Sequence, residues 1–380
     1  MLTISAAVPG LLIWIYLMAA RGFFWRVRRN VPPKVSGHGF QGVVAAIVPA
    51  RNEADVVGES VRSLLGQNGA LVRIFLVDDC STDSTAQIAR AAATAVGKAE
   101  ALTIVKGAPL PPGWSGKLWA TQQGLEKARE INPNFLLLTD ADIAHAPDSI
   151  ATLISIAEAG PYDLVSFMVK LHCKSLAEKW LVPAFVFFFF MLYPPKWIAN
   201  QRRKTAGAAG GCILIRPEWL ERAGGIAAIR SEIIDDCALA ARVKSAGGRL
   251  WLGLAKSTKS IRLYSTLSEI GRMISRTAFN QLRHSVWLFM ISVFGLTLTY
   301  LAPPLLLFSH NRIAMVCGAV ACVAMMIAYL PMVRFYGLNP AWVLTLPLTA
   351  VFYMGATVHS AWRFWSGQGG QWKDRVQDPR

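Results

Sequence analysis

Residues 135–142 read FLLLTDAD, an apolar run that is followed at once by two carboxylates, Asp140 and Asp142. The apolar run predicts a buried strand, so the Asp-Ala-Asp triplet lies where that strand leaves the sheet. Carboxylates two apart on an extended chain point to opposite faces, but a turn beginning at Asp142 lets both reach one hard cation. The triplet predicts a site for a divalent cation and a diphosphate. The alternative, two solvated aspartates at a strand end, stays open.

Short β-rich runs alternate with helical patterns on both sides of this segment. The predicted strands are 43–48, 72–77, 102–105 and 135–139, and the predicted helices are 54–65, 84–95, 117–128 and 149–159. This alternation predicts an α/β fold in which a mostly parallel sheet carries helices on both faces. Ligands bind such sheets beyond the carboxyl ends of the strands, here after Val48, Val77 and Thr139.

The composition indicates a membrane protein. The chain has 380 residues, of which 53% are hydrophobic and 16% are charged, and residues 2–20 carry no charge at all. A cleaved signal peptide is the alternative for this segment, but it lacks a basic start, so we predict an uncleaved anchor with its N-terminus outside. The basic flank that indicates a cytoplasmic side consists of Arg21, Arg26, Arg28, Arg29 and Lys34.

Further apolar stretches lie towards the C-terminus, at 285–308, 313–333 and 341–362. Each is long enough to cross a hydrocarbon core of about 30 Å. The shorter stretch 181–192 is predicted to be interfacial or re-entrant, as a path for lipid entry. If the anchor and all three later stretches cross, the basic tail lies outside, against its charge, so one stretch is a candidate hairpin at Pro303 and Pro304.

The layout predicts an ordered series of regions. They are a transmembrane anchor (1–29), a cytoplasmic α/β domain (30–266), an interfacial amphipathic helix (267–284), a transmembrane region (285–362) and a basic tail (363–380). The net charge of +16 is concentrated near the predicted membrane. We therefore predict contact with anionic lipid and no nucleic-acid partner. The six cysteines are scattered, which predicts a reduced compartment and neither a zinc site nor a disulfide framework.

The common nucleotide fingerprints are missing. No Gly-x-Gly-x-x-Gly follows the first strand, and no Gly-x-x-x-x-Gly-Lys-Ser/Thr occurs, which argues against dinucleotide enzymes and P-loop NTPases. The first strand ends instead in VPARNE (48–53) and the second in VDDCSTDST (77–85), and IDDCAL follows at 234–239.

With the Asp140-Ala-Asp142 triplet, these motifs resemble the ordered signature of the family 2 inverting glycosyltransferases, which have the GT-A (Rossmann-like) fold. The resemblance covers residues 43–254. The loop Trp114-Ser115-Gly116-Lys117 and the membrane segments at both ends are similar to those of bacterial hopanoid-associated glycosyltransferases and, less closely, of carotenoid glycosyltransferases.

The resemblance implies roles for particular residues. Asp236 matches the family's general base, and Asp235 stands where the family usually has Glu. Asp140 and Asp142 would hold Mg²⁺ or Mn²⁺. The residues expected to bind the nucleotide sugar are Pro49, Arg51, Glu53, Asp78, Asp79, Lys117, Asp140 and Gly211, the last in a run of small residues that permits close approach.

Each of these roles has a structural alternative. Asp79 and Asp83 could form the turn or cap the helix that follows. Lys117 could be a solvated lysine in the first turn of a helix, a position that the helix dipole mildly disfavours. Asp235 could be no more than an N-terminal cap of its helix.

The function that the resemblance implies is a membrane-bound glycosyltransferase of the bacterial inner membrane, facing the cytoplasm. It would move a single sugar from a nucleotide sugar, taken as a UDP-sugar, to a hopanoid or related polyisoprenoid lipid. Processive members carry Gln-x-x-Arg-Trp, which the sequence QLRHS at 281–285 does not reproduce. Two alternatives stay open, a polyprenyl-phosphate sugar synthase and a non-catalytic GT-A scaffold in lipid biosynthesis.

Overall fold

The computed structural model describes residues 2–32 and 40–367 and the short pairs 371–372 and 375–376. Lys34 of the predicted basic flank, and Lys373 and Arg380 of the predicted tail, lie outside the described residues. The strands are β1 (Val43–Ala50), β2 (Leu71–Asp78), β3 (Leu102–Lys106), β4 (Phe135–Leu138), β5 (Ile143–Ala144), β6 (Leu164–Lys170), β7 (Ile213–Ile215), β8 (Leu250–Ser260), β9 (Gln371–Trp372) and β10 (Arg375–Val376). The helices are α1 (Leu2–Ala19), α2 (Val57–Leu65), α3 (Thr85–Ala95), α4 (Gly116–Ala128), α5 (Ser149–Ala159), α6 (Leu176–Leu192), α7 (Pro195–Ile198), α8 (Pro217–Arg222), α9 (Asp235–Ser245), α10 (Leu267–Ser275), α11 (Ala278–Gln281), α12 (Val286–Leu296), α13 (Ala302–Leu306), α14 (Arg312–Phe335) and α15 (Leu346–Trp365).

The chain divides into two compact units. The α/β unit comprises Asn30–His172, Trp197–Leu263 and Gln371–Arg380, and the helical unit comprises Met1–Arg29, Cys173–Lys196 and Tyr264–Gly370. The main sheet of the α/β unit has the strand order β3-β2-β1-β4-β7-β6-β8-β5. Pairs β1–β2, β2–β3, β1–β4 and β6–β8 are parallel, whereas β4–β7, β6–β7 and β5–β8 are antiparallel. The predicted α/β fold is confirmed, with a sheet in which four of the seven strand pairings are parallel and three are antiparallel.

The central strands are buried on both faces, as parallel strands under helices must be. Every residue of β1 from Val44 to Ala50 is buried. Helix α4 packs closely on β1 and β2, because a Cβ at Gly124 would lie only 2.7 Å from Cγ2 of Ile47 and 3.0 Å from Cγ2 of Val77. Glycine at this position therefore lets α4 approach the sheet, and it fixes where the N-terminus of α4 stands relative to the strand ends.

One predicted helix begins later than expected. The pattern predicts a helix from residue 54, whereas α2 begins at Val57. The preceding segment is a turn in which Asn52 has φ 53°, a left-handed conformation that asparagine tolerates better than most residues. Side chains from the loop after β2 accept the N–H groups of this turn, so those groups do not need a helical partner.

The antiparallel pairing of β5 with β8 determines what faces the Asp-Ala-Asp turn. Ile143 pairs with Ser260 and Ala144 with Lys259. Just beyond the ladder, the N–H of Ile261 donates to the backbone oxygen of Asp142 at 2.9 Å. This register brings the residues that follow β8 against Asp142.

Among the residues that the structure describes, four segments are long and apolar enough to cross a membrane, by length and composition. They are Leu176–Ile198, Val286–Leu306, Arg312–Phe335 and Pro340–Trp365. Helix α1 occupies the predicted anchor, but its apolar part, Ser5–Ala19, is shorter than these four. Inside the helical unit, Nε1 of Trp14 donates to the backbone oxygen of Thr299 at 2.8 Å, which gives a buried indole N–H its partner.

Three membrane-region features differ from the sequence patterns. The segment around 181–192 belongs to a longer apolar stretch, Leu176–Ile198. The chain stays helical through Pro303 and Pro304, with a π-helical turn at Thr297–Leu301, so it does not reverse direction there. The interfacial helix expected over 267–284 is divided into α10 and α11.

Candidate active site

The loops after β1 and β2 are cross-linked by hydrogen bonds. The N–H of Asn52 donates to Oγ of Ser81 at 3.1 Å, and the N–H of Glu53 donates to Oγ1 of Thr85 at 2.8 Å. In return, the N–H of Thr82 donates to Oδ1 of Asn52 at 2.9 Å. The two loops therefore form one rigid rim at the carboxyl end of the sheet.

Asp83 completes this rim. Its carboxylate accepts hydrogen bonds from the N–H of Ala54 at 3.1 Å, from the N–H of Thr85 at 3.0 Å and from the hydroxyl of Thr85. Burial alone would raise the pKa of Asp83, but these hydrogen bonds favour the carboxylate and lower the pKa below its ordinary value. The turn-forming role considered for Asp83 is the one that the geometry shows.

The predicted nucleoside residues Arg51, Asp78 and Asp79 form a second group. Nη1 of Arg51 donates to the backbone oxygen of Asp79 at 2.6 Å and lies 3.7 Å from its Oδ2. Asp79 is fully buried, so its carboxylate is a fixed partner for the guanidinium of Arg51. Asp78, half-buried, accepts the N–H of Ser81 at Oδ1, and Gly107 packs so tightly that a Cβ there would lie 2.8 Å from the Asp78 backbone oxygen.

Lys117 stands at the centre of a third group. Ser115 caps α4 by accepting the N–H of Leu118, and this places Lys117 in the first turn of the helix. Its Nζ lies 2.9 Å from Oδ1 of Asp140 and 3.1 Å from Oδ2 of Asp235. Burial opposes the charged form, but the surrounding carboxylates outweigh it and raise the pKa of Lys117. Lys117 is therefore not a solvated surface lysine.

The catalytic pair predicted at the start of α9 is present beside Lys117. Asp235 is not a cap, because the N-cap of α9 is Ile234, which makes no side-chain capping bond. Asp236 accepts the N–H of Gly210 at Oδ2, 2.8 Å away, and the N–H of Cys237 at Oδ1, 2.7 Å away. Burial, and then the charge of Asp235, raise the pKa of Asp236 from 3.8 to about 6, although Lys117 and the two N–H donors act in the opposite direction.

Gly210, rather than Gly211, borders this group. A Cβ on Gly210 would lie 3.4 Å from both Oδ2 of Asp236 and Nζ of Lys117. Gly211 faces the core, where a Cβ would lie 3.2 Å from Cδ1 of Ile143, and its backbone oxygen accepts the hydroxyl of Thr139. The small-residue run marked the right loop, but the turn that precedes β7 decides which glycine faces the recess.

Asp140 and Asp142 leave β4 as predicted, but they face different cations. Asp140 pairs with Lys117, and its pKa is raised because burial outweighs that pairing and Asp142 adds to the effect. Asp142 accepts Nε of Arg262 at 2.8 Å. Behind the triplet, buried His145 bonds to Thr139, and burial lowers the pKa of His145 to about 4, so it is a neutral structural residue.

Arg262 is the site residue that sequence reasoning missed. Its Nη2 lies 2.6 Å and 2.8 Å from the two carboxylate oxygens of Glu53, while its Nε binds Asp142. Burial opposes ionisation, but the two carboxylates outweigh it and raise the pKa of Arg262. The only sequence signal was a single arginine just past a β-rich run, within a basic stretch that the composition assigned to the membrane.

A single recess contains six of these residues, which are Pro49, Lys117, Asp140, Gly210, Asp235 and Asp236. Apolar side chains such as Ile47, Leu138 and Ile229 complete its walls. The recess offers an ammonium group for an anion and, within the same walls, a carboxylate whose raised pKa suits a general base. Glu53, Asp142 and Arg262 form an ion cluster next to this recess. Arg51, Asp78 and Asp79 belong to the rim formed by the loops after β1 and β2.

A divalent cation is compatible with Asp140 and Asp142. Within the described ranges, no group of three or more His, Cys, Asp or Glu side chains is arranged to hold a metal ion. Magnesium, however, is commonly held by one or two carboxylates together with substrate phosphates and waters. The donor set of two carboxylates therefore fits a cation that binds jointly with a diphosphate.

The chain is similar in sequence to one protein family and in fold to solved glycosyltransferases. Residues 45–224 match the family described as Glycosyl transferase family 2. The mannosyltransferase PcManGT from Pyrobaculum calidifontis, solved in complex with GDP-Man and Mn²⁺, is 20% identical, with a TM-score of 0.51 over 93% of this chain and 99% of that chain. S. aureus TarS 1–349 with UDP-GlcNAc is 14% identical over 86% of this chain and 92% of that chain, with a TM-score of 0.39. No curated protein matches the sequence significantly.

Proposed function

We propose that this chain, whose residues 45–224 match the glycosyl transferase family 2 model, moves a single sugar from a nucleotide sugar to a hydroxyl group of a membrane lipid, with inversion at the anomeric carbon. The observation that carries the proposal is the position of Lys117 between Asp140 and Asp235. One ammonium group joins the proposed phosphate-binding edge to the helix that holds the proposed base. Donor phosphates and the reacting sugar carbon would thus meet within one recess.

The donor half of the site is built from fixed groups. The rim of Arg51, Asp78 and Asp79 is proposed to hold the nucleoside, taken as uridine, and Lys117 to face the diphosphate. Asp140 and Asp142 would hold Mg²⁺ or Mn²⁺, which would neutralise charge on the leaving nucleoside diphosphate. The P. calidifontis mannosyltransferase was solved with Mn²⁺ and a nucleotide sugar, and we propose that this chain also binds a divalent cation together with its donor.

Asp236 is proposed to take the proton from the acceptor hydroxyl. A base works best when its pKa lies near the working pH, and the pKa of Asp236 is raised to about 6. The N–H of Gly210 holds Oδ2 in a fixed direction. Oxygen attack on the anomeric carbon, from the face opposite the leaving diphosphate, breaks the carbon–oxygen bond to phosphate and transfers the hydroxyl proton to Asp236.

The acceptor is proposed to be a lipid because of the apolar helical unit. Four of its segments are long enough for a membrane span, which suits an enzyme whose substrate is delivered from a bilayer. We propose the cytoplasmic leaflet of a bacterial inner membrane, a hopanoid or related polyisoprenoid acceptor, and contact with anionic lipid. Single transfer, rather than polymer synthesis, follows from the absence of Gln-x-x-Arg-Trp at 281–285.

The test is nucleoside diphosphate release by the purified full chain in nanodiscs, with Mg²⁺ or Mn²⁺, across a panel of nucleotide sugars. Release that requires added lipid extract and is lost in Asp142→Ala would support transfer and identify the donor. The matched control is Asp55→Asn, at an exposed aspartate on the loop after β1, which should behave like the wild type. Product analysis by NMR must show the inverted anomer.

Defined acceptors separate the proposal from its rivals. A neutral polyol lipid needs a base, so Asp236→Asn should abolish its glycosylation, whereas a polyprenyl phosphate is already anionic and would be less affected. Retained transfer to polyprenyl phosphate by Asp236→Asn would favour the polyprenyl-phosphate sugar synthase. No release from any nucleotide sugar, with a correctly folded protein, would favour the scaffold.

A further inference from the structure

Arg262 holds two loops of the site together through one guanidinium group. Nη2 binds both oxygens of Glu53 on the loop after β1, and Nε binds Oδ2 of Asp142 on the loop after β4. The side chains of Glu53 and Asp142 are only 10% and 14% exposed, so both carboxylates are largely withdrawn from water. Loss of their partner would therefore be costly, and the contact is a defined element of the site.

Backbone pairing keeps Arg262 at this position. The ladder between β5 and β8 ends at Ile143 and Ser260, and Ile261 donates to the backbone oxygen of Asp142. The two chain segments cannot separate without breaking these bonds. Any change in the contact between Arg262 and Asp142 must come from rotation of the side chains.

A divalent cation and the guanidinium need the same carboxylate. Two positive groups at one oxygen repel each other, and in a partly buried site water screens that repulsion poorly. The guanidinium can release Asp142 and still keep its paired bonds to Glu53, because different nitrogens make the two contacts. The Arg262 side chain can therefore release Asp142 by breaking only the hydrogen bond from Nε.

We propose that Arg262 is a positioning residue that competes with the divalent cation for Asp142, and thereby makes cation binding depend on the donor diphosphate. A cation that binds without a diphosphate must displace the guanidinium from Asp142, and no additional negative charge enters the site to compensate. A diphosphate supplies that charge, and its oxygens complete the cation's ligands. The inference rests on the proposed function only for the identity of this diphosphate.

The coupling has a measurable consequence. If the diphosphate raises cation affinity, the cation raises diphosphate affinity by the same factor, because coupling between two sites is reciprocal. The free energy needed to displace the guanidinium mainly weakens the binding of a cation in the absence of nucleotide. Removing Arg262 should therefore tighten cation binding without nucleotide and reduce the coupling factor.

The experiment measures Mn²⁺ binding by the full chain in nanodiscs, from the electron paramagnetic resonance signal of free Mn²⁺, with and without UDP. The variants are Arg262→Gln, which removes the charge, and Arg262→Lys, which keeps the charge but loses the planar fork that spans two carboxylates. The matched control is Lys259→Gln on the same strand, where an exposed lysine lies 3.8 Å from Glu59. Circular dichroism verifies folding.

Arg262→Gln should bind nucleotide-free Mn²⁺ about tenfold or more tightly than the wild type, and the UDP coupling factor should fall. Arg262→Lys should also bind it more tightly despite its unchanged charge, and Lys259→Gln should match the wild type. Equal or weaker binding by Arg262→Gln overturns the proposal, as does an equal gain in Lys259→Gln. If Arg262→Gln does not fold, Arg262→Lys decides, since unchanged or weaker binding by that variant also overturns it.

The measurements of Mn²⁺ binding do not require the protein to transfer a sugar. A chain that transferred no sugar would still show, or fail to show, the change in Mn²⁺ affinity. Failure of the proposed function would appear as absent nucleoside diphosphate release, with the Arg262 effect intact. Failure of the present inference would appear as unchanged Mn²⁺ affinity in an active enzyme.

Discussion

The N–H of Gly210 donates to Oδ2 of Asp236 at 2.8 Å, so the proposed base is oriented by the backbone of a loop rather than by another side chain. The bond survives side-chain substitution elsewhere in the recess. It also holds Asp236 beside Lys117, since a Cβ on Gly210 would lie 3.4 Å from both groups. Gly210 therefore borders both the proposed base and the ammonium group of Lys117.

This arrangement predicts a pH dependence. The pKa of Asp236 is raised from 3.8 to about 6, and a base acts only as the carboxylate, so kcat/KM should increase with pH up to about 6 and then level off. Asp236→Asn should lower kcat by about 10²-fold or more. Asp148→Asn, at an exposed N-cap position without a side-chain bond, is the control. A flat profile between pH 5 and 7 would contradict the assignment of Asp236 as the base.

Lys117→Gln should damage both stability and activity. The change leaves the half-buried Asp140 and Asp235 without their shared cation, which should cost more than the roughly 1 kcal/mol of an exposed ion pair. We expect a lower Tm and about 10²-fold lower kcat/KM, measured by thermal unfolding and nucleoside diphosphate release. Lys127→Gln, on the exposed face of the same helix, should change stability by less than about 1 kcal/mol. Similar losses in both variants would argue against a special role for Lys117.

Removal of the divalent cation should stop transfer. Chelation with EDTA should abolish release, and excess Mg²⁺ or Mn²⁺ should restore it, because Asp140 and Asp142 offer oxygen ligands. Asp142→Asn should reduce activity about 10²-fold and weaken this restoration. Asp55→Asn should respond to metal as the wild type does. Full activity in EDTA would remove the cation from the mechanism.

Gly107→Ala should weaken nucleotide binding. The new Cβ would lie 2.8 Å from the backbone oxygen of Asp78 and 3.0 Å from Cα of Asp79, so the rim must shift. We expect about tenfold weaker UDP binding by calorimetry, equivalent to about 1.4 kcal/mol. Gly355→Ala, where no atom lies within 4 Å of the new Cβ, should bind UDP normally. Unchanged UDP affinity in Gly107→Ala would show that the rim is not part of the nucleotide-binding site.

Asp83→Ala should loosen the rim without removing a ligand group. Its carboxylate accepts hydrogen bonds from the N–H groups of Ala54 and Thr85, and loss of such hydrogen bonds costs about 1 kcal/mol. Because hydrogen bonding lowers the pKa of Asp83, its stabilisation is present above the unfolded pKa and is lost as pH falls through the folded pKa. The difference in Tm between wild type and variant should therefore shrink below pH 4. Asp148→Ala should show no such pH-dependent difference.

Much of the architecture was predictable from the chain itself. Strands β1 to β4 and helices α3, α4 and α5 lie within two residues of their predicted bounds at either end, because apolar runs and helical periodicity report local structure directly. The Asp-Ala-Asp triplet, Lys117 and Asp236 could also be nominated, since each follows a strand end or begins a helix. The family match over residues 45–224 includes the triplet and Lys117 and ends before Asp236.

Arg262 could not be found in this way. It lies 209 positions from Glu53 and 120 from Asp142, and the antiparallel register of β5 and β8 is what brings it to Asp142. The choice of Gly210 over Gly211 likewise depends on which way each residue faces, which composition does not encode.

The sequence alone determined the order of strands and helices, the apolar character of the membrane-region helices and the kinds of side chain at each strand end, because these depend on local residue patterns. The tertiary structure alone decided which groups meet. Lys117 forms ion pairs with Asp140 and Asp235, Arg262 forms ion pairs with Glu53 and Asp142, and Asp236 accepts a hydrogen bond from a backbone N–H. Pairing between charges requires a separation of a few ångströms. Distances of that size between remote parts of the chain exist only once the sheet has formed.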